Sequence, residues 1–316
     1  MIAVAGAGAF GTALAITLAQ AGRDVMLYGR DVAQIAERRE NARYLPGITL
    51  PERLYIAGKP EAMAAADTIL LAIPTQKLAE FLATHALQLD RKRLVACCKG
   101  VDLRTGLGPT ALIATACPLA AAATLTGPSF AADLAQGLPT ALTLACTDNT
   151  VGEALQDQLS GPALRVYSTT DVIGAELGGA LKNVIALAAG ITMGAGLGES
   201  ARAAVITRGY AEMLRYATAL GARPETLAGL SGLGDLILTA TSPKSRNYQA
   251  GFALGAGQKP GTATVEGIPT AQAMVQLARV RGVDMPLTDM VAAVVSGHVS
   301  VEEAKRALLA RPLKEE

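Results

Sequence analysis

The chain has 316 residues, a formal net charge of +1 and 51% hydrophobic residues, many of them alanine. This length suggests about two domains, and the near-neutral charge gives no reason to expect nucleic acid as a partner. Four cysteines with no Cys-x-x-Cys pair and only two histidines argue against a disulfide framework and against a metal site, and they favour a reducing, cytoplasmic compartment.

The N-terminal half alternates short apolar runs with helical stretches. The predicted strands cover residues 2–5, 25–28, 53–56, 68–73, 94–98, 123–126, 140–146 and 164–167. Helical patterns separate most of them, notably at 12–20 and 76–85. This alternation predicts an α/β domain over residues 1–170, with a doubly wound, largely parallel sheet of the Rossmann type. Because the chain leads straight from Met1 into the first strand, we expect no signal peptide.

The strand patterns stop near residue 171. Helical patterns separated by glycine-rich loops follow at 172–195, 203–220, 224–227, 271–281 and 301–309. They predict an all-α C-terminal domain over residues 171–316. We expect no membrane span, because the longest weakly polar stretch, 184–197, is broken by glycines and too short for a hydrocarbon core of ~30 Å.

A Gly-x-Gly-x-x-Gly motif lies where the first predicted strand meets the first helix. Gly6 permits the tight turn, Gly8 lets the backbone approach a pyrophosphate, and Gly11 lets the helix pack closely on the strand. The positive end of that helix then faces the phosphates. Since an apolar strand precedes the motif and a helical pattern follows it, the motif predicts a dinucleotide site.

The end of the second predicted strand bears on the choice of dinucleotide. Arg30 can bind the 2′-phosphate of NADPH, whereas Asp31 can hold the ribose of NADH. We favour NADPH, with a solvated surface charge as the alternative for Arg30. Pro74 follows the fourth strand at the edge where open sheets bind ligands, so it either lines the cofactor or simply ends the strand.

Lys182 is the most informative single side chain. Its helical neighbours three and four residues away are Gly178, Gly179, Ile185 and Ala186, whereas a solvated lysine has polar residues on its face. Desolvation on such a face would lower the pKa of the lysine, as a general acid or base at neutral pH requires. The alternative is a structural lysine whose stem packs at a helix seam.

Polar groups elsewhere are candidates for contact with a substrate. Lys99 follows the fifth predicted strand, and Gly127 and Ser129 follow the sixth. If the glycine-rich segment that begins at residue 229 leads into a helix, Asp235 and Thr239 face one side of it. Asp235 would then be able to orient the lysine described above.

The segment 242–247 combines a hydroxyl, a guanidinium and an amide in Ser245, Arg246 and Asn247. Interpreted as a loop, it provides donors for an anion such as a phosphate. Isolated loop residues of this kind would be weak evidence for an anion site. The evidence is stronger here because the segment closely follows Asp235, the proposed partner of Lys182.

Together these segments resemble the bacterial NAD(P)-dependent glycerol-3-phosphate dehydrogenases from end to end. The resemblance is carried by GAGAFGTA at Gly6, AIPTQ at Ala72, KG at Lys99, GPSFA at Gly127, ELGGALKNV at Glu176, ITRGYAEM at Ile206, GLSGLGDLILTATSPKSRN at Gly229 and VEG at Val265. It implies an enzyme that reduces dihydroxyacetone phosphate to sn-glycerol 3-phosphate with NADPH or NADH, for glycerophospholipid synthesis. It also implies a homodimer.

The resemblance also implies residue roles. Lys182 would donate or accept the proton, with Lys99, Asn183 and Asp235 as the other catalytic residues. The residues expected to bind substrate are Lys99, Gly127, Ser129, Lys182, Asp235, Thr239, Ser245, Arg246 and Asn247. The residues expected to bind cofactor include those of the glycine motif. They are Gly6, Gly8, Ala9, Phe10, Gly11, Arg30, Pro74, Lys99, Ala131, Arg246 and Glu266.

The sequence departs from the family pattern at one position, and two other functions remain as alternatives. Ser200 stands where the family usually has asparagine, so the role of that loop is open. A β-hydroxyacid or phosphogluconate dehydrogenase would share the architecture, but would need a carboxylate site where 245–247 favour a phosphate. A non-enzymatic redox sensor would bind dinucleotide without needing Lys182 and Asp235.

Overall fold

The computed structural model describes residues 1–261 and 265–310. It contains two compact units, Met1–Glu176 and Leu177–Glu316. The predicted domain boundary after residue 170 lies close to this division and stays a prediction, and residues 311–316 of the second predicted domain lie outside the described part of the chain.

The N-terminal unit is built on one eight-stranded sheet. The strands are β1 (Ile2–Ala5), β2 (Val25–Tyr28), β3 (Leu54–Ala57), β4 (Thr68–Leu71), β5 (Arg93–Ala96), β6 (Ala121–Thr126), β7 (Thr140–Cys146) and β8 (Leu164–Thr169). Their order is β3-β2-β1-β4-β5-β6-β7-β8, and every pair is parallel except β6 with β7. The predicted doubly wound, largely parallel sheet is therefore confirmed. Because the order reverses between β1 and β4, ligands are expected at the carboxyl ends of these two strands.

Helices cover both faces of this sheet. They are α1 (Ala9–Gln20), α2 (Ala33–Arg38), α3 (Thr75–Leu89), α4 (Pro109–Ala116), α5 (Ala131–Ala135) and α6 (Asn149–Leu159), with a 3₁₀ helix at Pro60–Ala65. Val4 packs with Leu14 of α1 in one apolar cluster, whereas Ala5 packs with Leu78 of α3 in another. Since successive strand side chains point to opposite faces, both faces of the sheet are buried.

The C-terminal unit is helical, as predicted. Its helices are α7 (Val172–Gly194, which begins in the N-terminal unit), α8 (Glu199–Ala219), α9 (Pro224–Ala228), α10 (Asp235–Thr241), α11 (Arg246–Gly255), α12 (Gly267–Arg281), α13 (Pro286–Val295) and α14 (Val301–Leu309), with a π-helical turn at Leu230–Gly234. Within the described residues after 169, no strand is present.

Helix α7 is the central helix of this unit. By length and composition it is apolar enough to cross a membrane, but 83% of its most apolar stretch is buried inside the structure. This burial is the pattern of a core helix. Glycines let α11 approach α7 closely: a Cβ at Gly190 would lie 2.1 Å from the carbonyl oxygen of Tyr248, and one at Gly251 would lie 2.1 Å from that of Leu187.

Several element boundaries differ from the sequence predictions, and those near the candidate site are the following. Helix α1 begins at Ala9 rather than at residue 12, because Gly11 fits into the first turn where a Cβ would lie 2.0 Å from the carbonyl oxygen of Gly6. Strands β4 and β5 end two residues earlier than predicted. The segment 242–247 is not a loop throughout, because the Ser245 hydroxyl accepts from Tyr248 N and starts α11 at Arg246.

Candidate active site

The glycine motif forms the junction of β1 and α1. Gly6 has φ +116°, and a Cβ there would lie 2.4 Å from the carbonyl oxygen of Ala72, so the turn excludes other residues. Gly8 is the N-cap of α1, and a Cβ on it would meet no atom within 4 Å. Ala9, Phe10 and Gly11 form the first helical turn, whose N–H groups have no partner inside the helix. This geometry fits a pyrophosphate.

A cavity of about 1050 Å³ opens beside this junction within the N-terminal unit. Gly6, Gly8, Arg30 and Pro74 all line it, so four of the residues predicted to bind cofactor share one cavity. The cavity lies at the ends of β1, β2 and β4, where the strand order reverses. Its size and its position both suit a dinucleotide.

Lys99, Gly127 and Ser129 form a second cluster in the same unit. The ammonium of Lys99 donates to the carbonyl oxygen of Gly127 at 3.1 Å, and the Ser129 hydroxyl lies 3.5 Å from that same oxygen. Gly127 has φ +137°, which favours glycine. Ala131 begins the short helix α5 just beyond. The structure therefore brings three predicted substrate-binding residues together.

The N-terminus of α3 holds the loop that carries Lys99, a role that the sequence did not reveal. The Thr75 hydroxyl donates to the carbonyl oxygen of Lys99 at 2.8 Å. The Gln76 amide donates to the carbonyl oxygen of Val101 at 2.8 Å and accepts from Leu103 N at 3.1 Å. The only signal in the sequence was that both residues lie in the AIPTQ motif.

In the C-terminal unit, Lys182 is buried and paired. Its Nζ donates to Oδ1 of Asp235 at 2.5 Å and to the hydroxyl of Thr239 at 2.7 Å. Residues 235 and 239 lie one turn apart on α10, so both face the lysine, as the spacing predicted. The sequence-based expectation considered desolvation alone, whereas the carboxylate favours the charged ammonium and opposes that effect.

Small residues allow α10 to reach the lysine. A Cβ on Gly178, one turn before Lys182 on α7, would lie 2.6 Å from the carbonyl oxygen of Ser231. In turn, a Cβ on Gly232 would lie 2.0 Å from the carbonyl oxygen of Leu227. The π-helical turn therefore packs directly against α7 and delivers Asp235 at the start of α10. The predicted close approach at the small face of α7 is confirmed.

Asn183 starts a second network on the adjacent face of α7. Its Oδ1 accepts from the amide of Asn247 at 2.9 Å, and its own amide donates to Glu266 at 3.4 Å. The Asn247 Oδ1 accepts from Gly267 N at 2.9 Å. The two asparagines therefore link α7, α11 and the start of α12. Both amides are largely committed to holding these helices together.

The start of α11 also carries Arg246, which is exposed, whereas Ser245 and Asn247 are buried. Ser245 caps the helix and Arg246 is its first residue, so the arginine belongs to the positive end of α11. Ser200 is exposed in the first turn of α8. Its role stays open.

Glu176 is a titratable group that sequence reasoning did not single out. Its Oε1 accepts from Thr110 N at 2.7 Å, in the first turn of α4. Gly108, the N-cap of α4, leaves room for this carboxyl, since a Cβ there would lie 2.2 Å from Oε2. Burial raises the pKa of Glu176 to about 7, although the Thr110 hydrogen bonds lower it in part.

Within residues 1–261 and 265–310, no three His, Cys, Asp or Glu side chains cluster so that they could hold a metal ion. Among the residues predicted to contact substrate or cofactor, the charged groups are two lysines, two arginines and the carboxylates of Asp235 and Glu266. These groups suit proton transfer and anion binding.

Both halves of the chain match known proteins of the same family. The sequence model described as "NAD-dependent glycerol-3-phosphate dehydrogenase N-terminus" matches residues 1–152, and the corresponding C-terminus model matches residues 171–306. The glycerol-3-phosphate dehydrogenase [NAD(P)+] of Paracoccus denitrificans is 59% identical over 100% of this chain and 99% of its own. That of Cereibacter sphaeroides is 59% identical over 100% of both chains.

Solved structures agree with the sequence comparison. A 2.1 Å crystal structure of glycerol-3-phosphate dehydrogenase from Coxiella burnetii superposes with a TM-score of 0.93, at 36% identity, over 98% of each chain. The two family models cover the glycine motif in the N-terminal unit and the Lys182 cluster in the C-terminal unit. The chain therefore belongs to the NAD-dependent glycerol-3-phosphate dehydrogenase family.

Proposed function

We propose that this protein is an oxidoreductase that reduces dihydroxyacetone phosphate to sn-glycerol 3-phosphate with NADPH or NADH, in glycerophospholipid synthesis. The observation that most strongly supports it is the buried Lys182, held by Asp235 and Thr239. The carboxylate and the hydroxyl hold the ammonium in one position, as a preorganised proton donor requires. The names of the 59% identical relatives support the same substrate.

The N-terminal unit would hold the cofactor. Gly6, Gly8 and the first turn of α1 would bind the pyrophosphate, and Arg30 would bind the 2′-phosphate of NADPH. Pro74 and Ala131 would contact the nicotinamide half. When bound, the cofactor supplies a hydride for the C2 carbonyl carbon of the substrate.

The lysine would supply the proton. Lys182 donates through Nζ to the carbonyl oxygen as negative charge develops there, a step typically worth ~10²–10⁴-fold in rate. Asp235 and Thr239 fix the position of Nζ, so the proton donor is preorganised. After the transfer, the neutral amine is reprotonated from solvent. Lys99 would stabilise the developing oxyanion from the N-terminal unit.

The substrate phosphate would bind at the start of α11. Arg246 provides a bidentate guanidinium, and the positive helix end favours an anion. Asn247 and Ser245 would complete this site, and Gly127 and Ser129 are proposed separately as substrate contacts of the N-terminal unit. Glu266, linked to Asn183, is proposed as a further cofactor contact. Because the phosphate is remote from the reacting carbon, its binding energy serves to orient the carbonyl.

We propose in addition that the protein acts in the cytoplasm as a homodimer. The absence of disulfide-type cysteine spacing supports the compartment. Light scattering coupled to size-exclusion chromatography tests the assembly. A mass of one 32.3 kDa chain would refute it.

A substrate panel tests the proposed function. We expect the purified protein to oxidise NADPH with dihydroxyacetone phosphate, and to use unphosphorylated dihydroxyacetone far less well because it lacks the anchoring phosphate. A β-hydroxyacid or phosphogluconate dehydrogenase would instead oxidise its own acid with NADP⁺ or NAD⁺. Turnover of such an acid without turnover of dihydroxyacetone phosphate would refute the proposal, as would cofactor binding without any turnover.

A further inference from the structure

Asn41 lies far in sequence from the glycine motif but contacts it directly. Its amide donates to the carbonyl oxygen of Ala7 at 3.1 Å and to the hydroxyl of Thr12 at 2.8 Å. The residue is only 2% exposed and borders the 1050 Å³ cavity. One buried side chain therefore bridges the loop between β1 and α1 and the second turn of α1.

The contact with Ala7 has a consequence for Gly8. A peptide unit is planar and trans, so the C=O of Ala7 and the N–H of Gly8 point in opposite directions. Holding that carbonyl oxygen toward Asn41 fixes the Gly8 N–H on the other side of the same peptide. Gly8 is also the position where a Cβ would meet nothing within 4 Å, so a ligand can approach its backbone.

Asn41 is itself anchored. Leu45 N donates to the carbonyl oxygen of Asn41 at 2.8 Å, and Leu45 is buried in the core of the sheet. Arg39, two residues before Asn41, has φ +52° and donates from Nη1 to the carbonyl oxygen of Leu54 at 2.9 Å. The segment therefore has a fixed backbone from which the Asn41 amide can act.

We propose that Asn41 is a positioning residue for cofactor binding: it orients the Ala7–Gly8 peptide so that the Gly8 N–H points toward the pyrophosphate of the bound dinucleotide. This inference rests on the proposed use of NAD(P)H. It predicts a defect that is the same for NADPH and NADH, because the pyrophosphate is common to both. By contrast, a defect at Arg30 falls on NADPH alone.

The test is a fluorescence titration of the full-length protein with NADPH and with NADH. Asn41→Leu removes the donor. Asn41→Asp keeps the shape but places an oxygen against the Ala7 oxygen, and it serves if the leucine variant fails to fold. Loss of one well-aimed hydrogen bond to a charged phosphate corresponds to a rise in Kd of about tenfold or more. We expect this rise for both cofactors, with kcat at saturating cofactor nearly unchanged.

The matched control is Thr12→Val, which removes the other partner of the same amide. It should lower the melting temperature but leave both Kd values within about twofold of wild type. Unchanged Kd values in folded Asn41 variants would overturn the inference, as would an equal rise in Thr12→Val. Failure of the wild type to bind either cofactor would instead overturn the proposed function, so the two results are distinguishable.

Discussion

Nζ of Lys182 and Oδ1 of Asp235 lie 2.5 Å apart, with side-chain exposures of 8% and 1%. The two residues belong to different helices, so tertiary packing creates the pair. Each charge is buried next to the other. Removal of one therefore leaves the other in a site that disfavours an isolated charge.

Asp235→Leu should destabilise the C-terminal unit and abolish turnover. An unpaired buried charge of this kind costs about 3–5 kcal/mol. The double variant Lys182→Met with Asp235→Leu removes both charges and should recover most of the stability, while remaining inactive. Urea unfolding midpoints and turnover of dihydroxyacetone phosphate measure the two effects. A double variant as unstable as Asp235→Leu alone would show that the loss has another cause.

Arg30→Ala should weaken NADPH binding selectively. A hydrogen bond to a charged group is worth roughly 1.5–3 kcal/mol, or about 10- to 150-fold in Kd. NADH lacks the 2′-phosphate, so its Kd should change little. Arg165→Ala, at an exposed arginine beside Tyr167 and outside the cavity, is the control. An equal loss for both cofactors, or none for either, would rule out the assignment of Arg30.

Gly251→Ala should destabilise the protein, because the added Cβ would lie 2.1 Å from the carbonyl oxygen of Leu187 on α7. Overpacking typically costs about 1–3 kcal/mol, and a backbone neighbour cannot rotate away. Gly152→Ala in α6 is the matched control, since its Cβ would lie 3.5 Å from that of Cys146. It should be neutral or stabilising by up to about 1 kcal/mol. Equal melting temperatures for the two variants would contradict the close packing of α11 on α7.

Glu176 should make stability depend on pH. Because burial raises the pKa of its carboxyl from 4.5 to about 7, the folded protein binds this proton more tightly than the unfolded chain. The resulting stabilisation is fully present below about pH 4.5 and is lost as the pH rises through 7, by up to about 3 kcal/mol.

Glu176→Gln isolates this effect, because the amide oxygen can still accept from Thr110 N. Melting temperatures from pH 5 to 8 should fall more steeply for the wild type than for the variant. Burial also raises the pKa of Glu212. Because Glu212 is present in both proteins, its contribution to the pH dependence cancels in the comparison. Parallel curves would show that Glu176 titrates normally.

The eight strands were predictable from sequence because each is a local apolar run that the sheet buries. The position of Asp235 and Thr239 on the same side of α10 was predictable for a similar reason, since a helix fixes which side chains lie one turn apart. In contrast, the start of α11 was interpreted as a loop. The sequence signal for this helix start was Ser245 as the N-cap. A serine indicates an N-cap only when the residues after it are known to be helical.

Two contacts between distant segments were not predicted. Asn41 reaches Ala7 across 34 residues, and Gln76 holds the Lys99 loop across 25. No local pattern marks either side chain. At Lys182 the partner Asp235, 53 residues away, was anticipated, but the stabilisation of the charged ammonium by its carboxylate was not considered. The small residues around the lysine indicated close packing, and Asp235 was named as a residue able to orient the lysine only on the condition that its segment is helical.

The role of Lys182 as the proton donor is tested most directly by turnover of dihydroxyacetone phosphate with NADPH in wild type and Lys182→Met. NADPH affinity and melting temperature are measured on the same preparations, since the substitution leaves Asp235 without its counter-charge. We predict that kcat falls by ~10²–10⁴-fold or more while the Kd for NADPH stays within about twofold. A Lys182→Met variant that folds and keeps kcat within about threefold of wild type would contradict this role for Lys182.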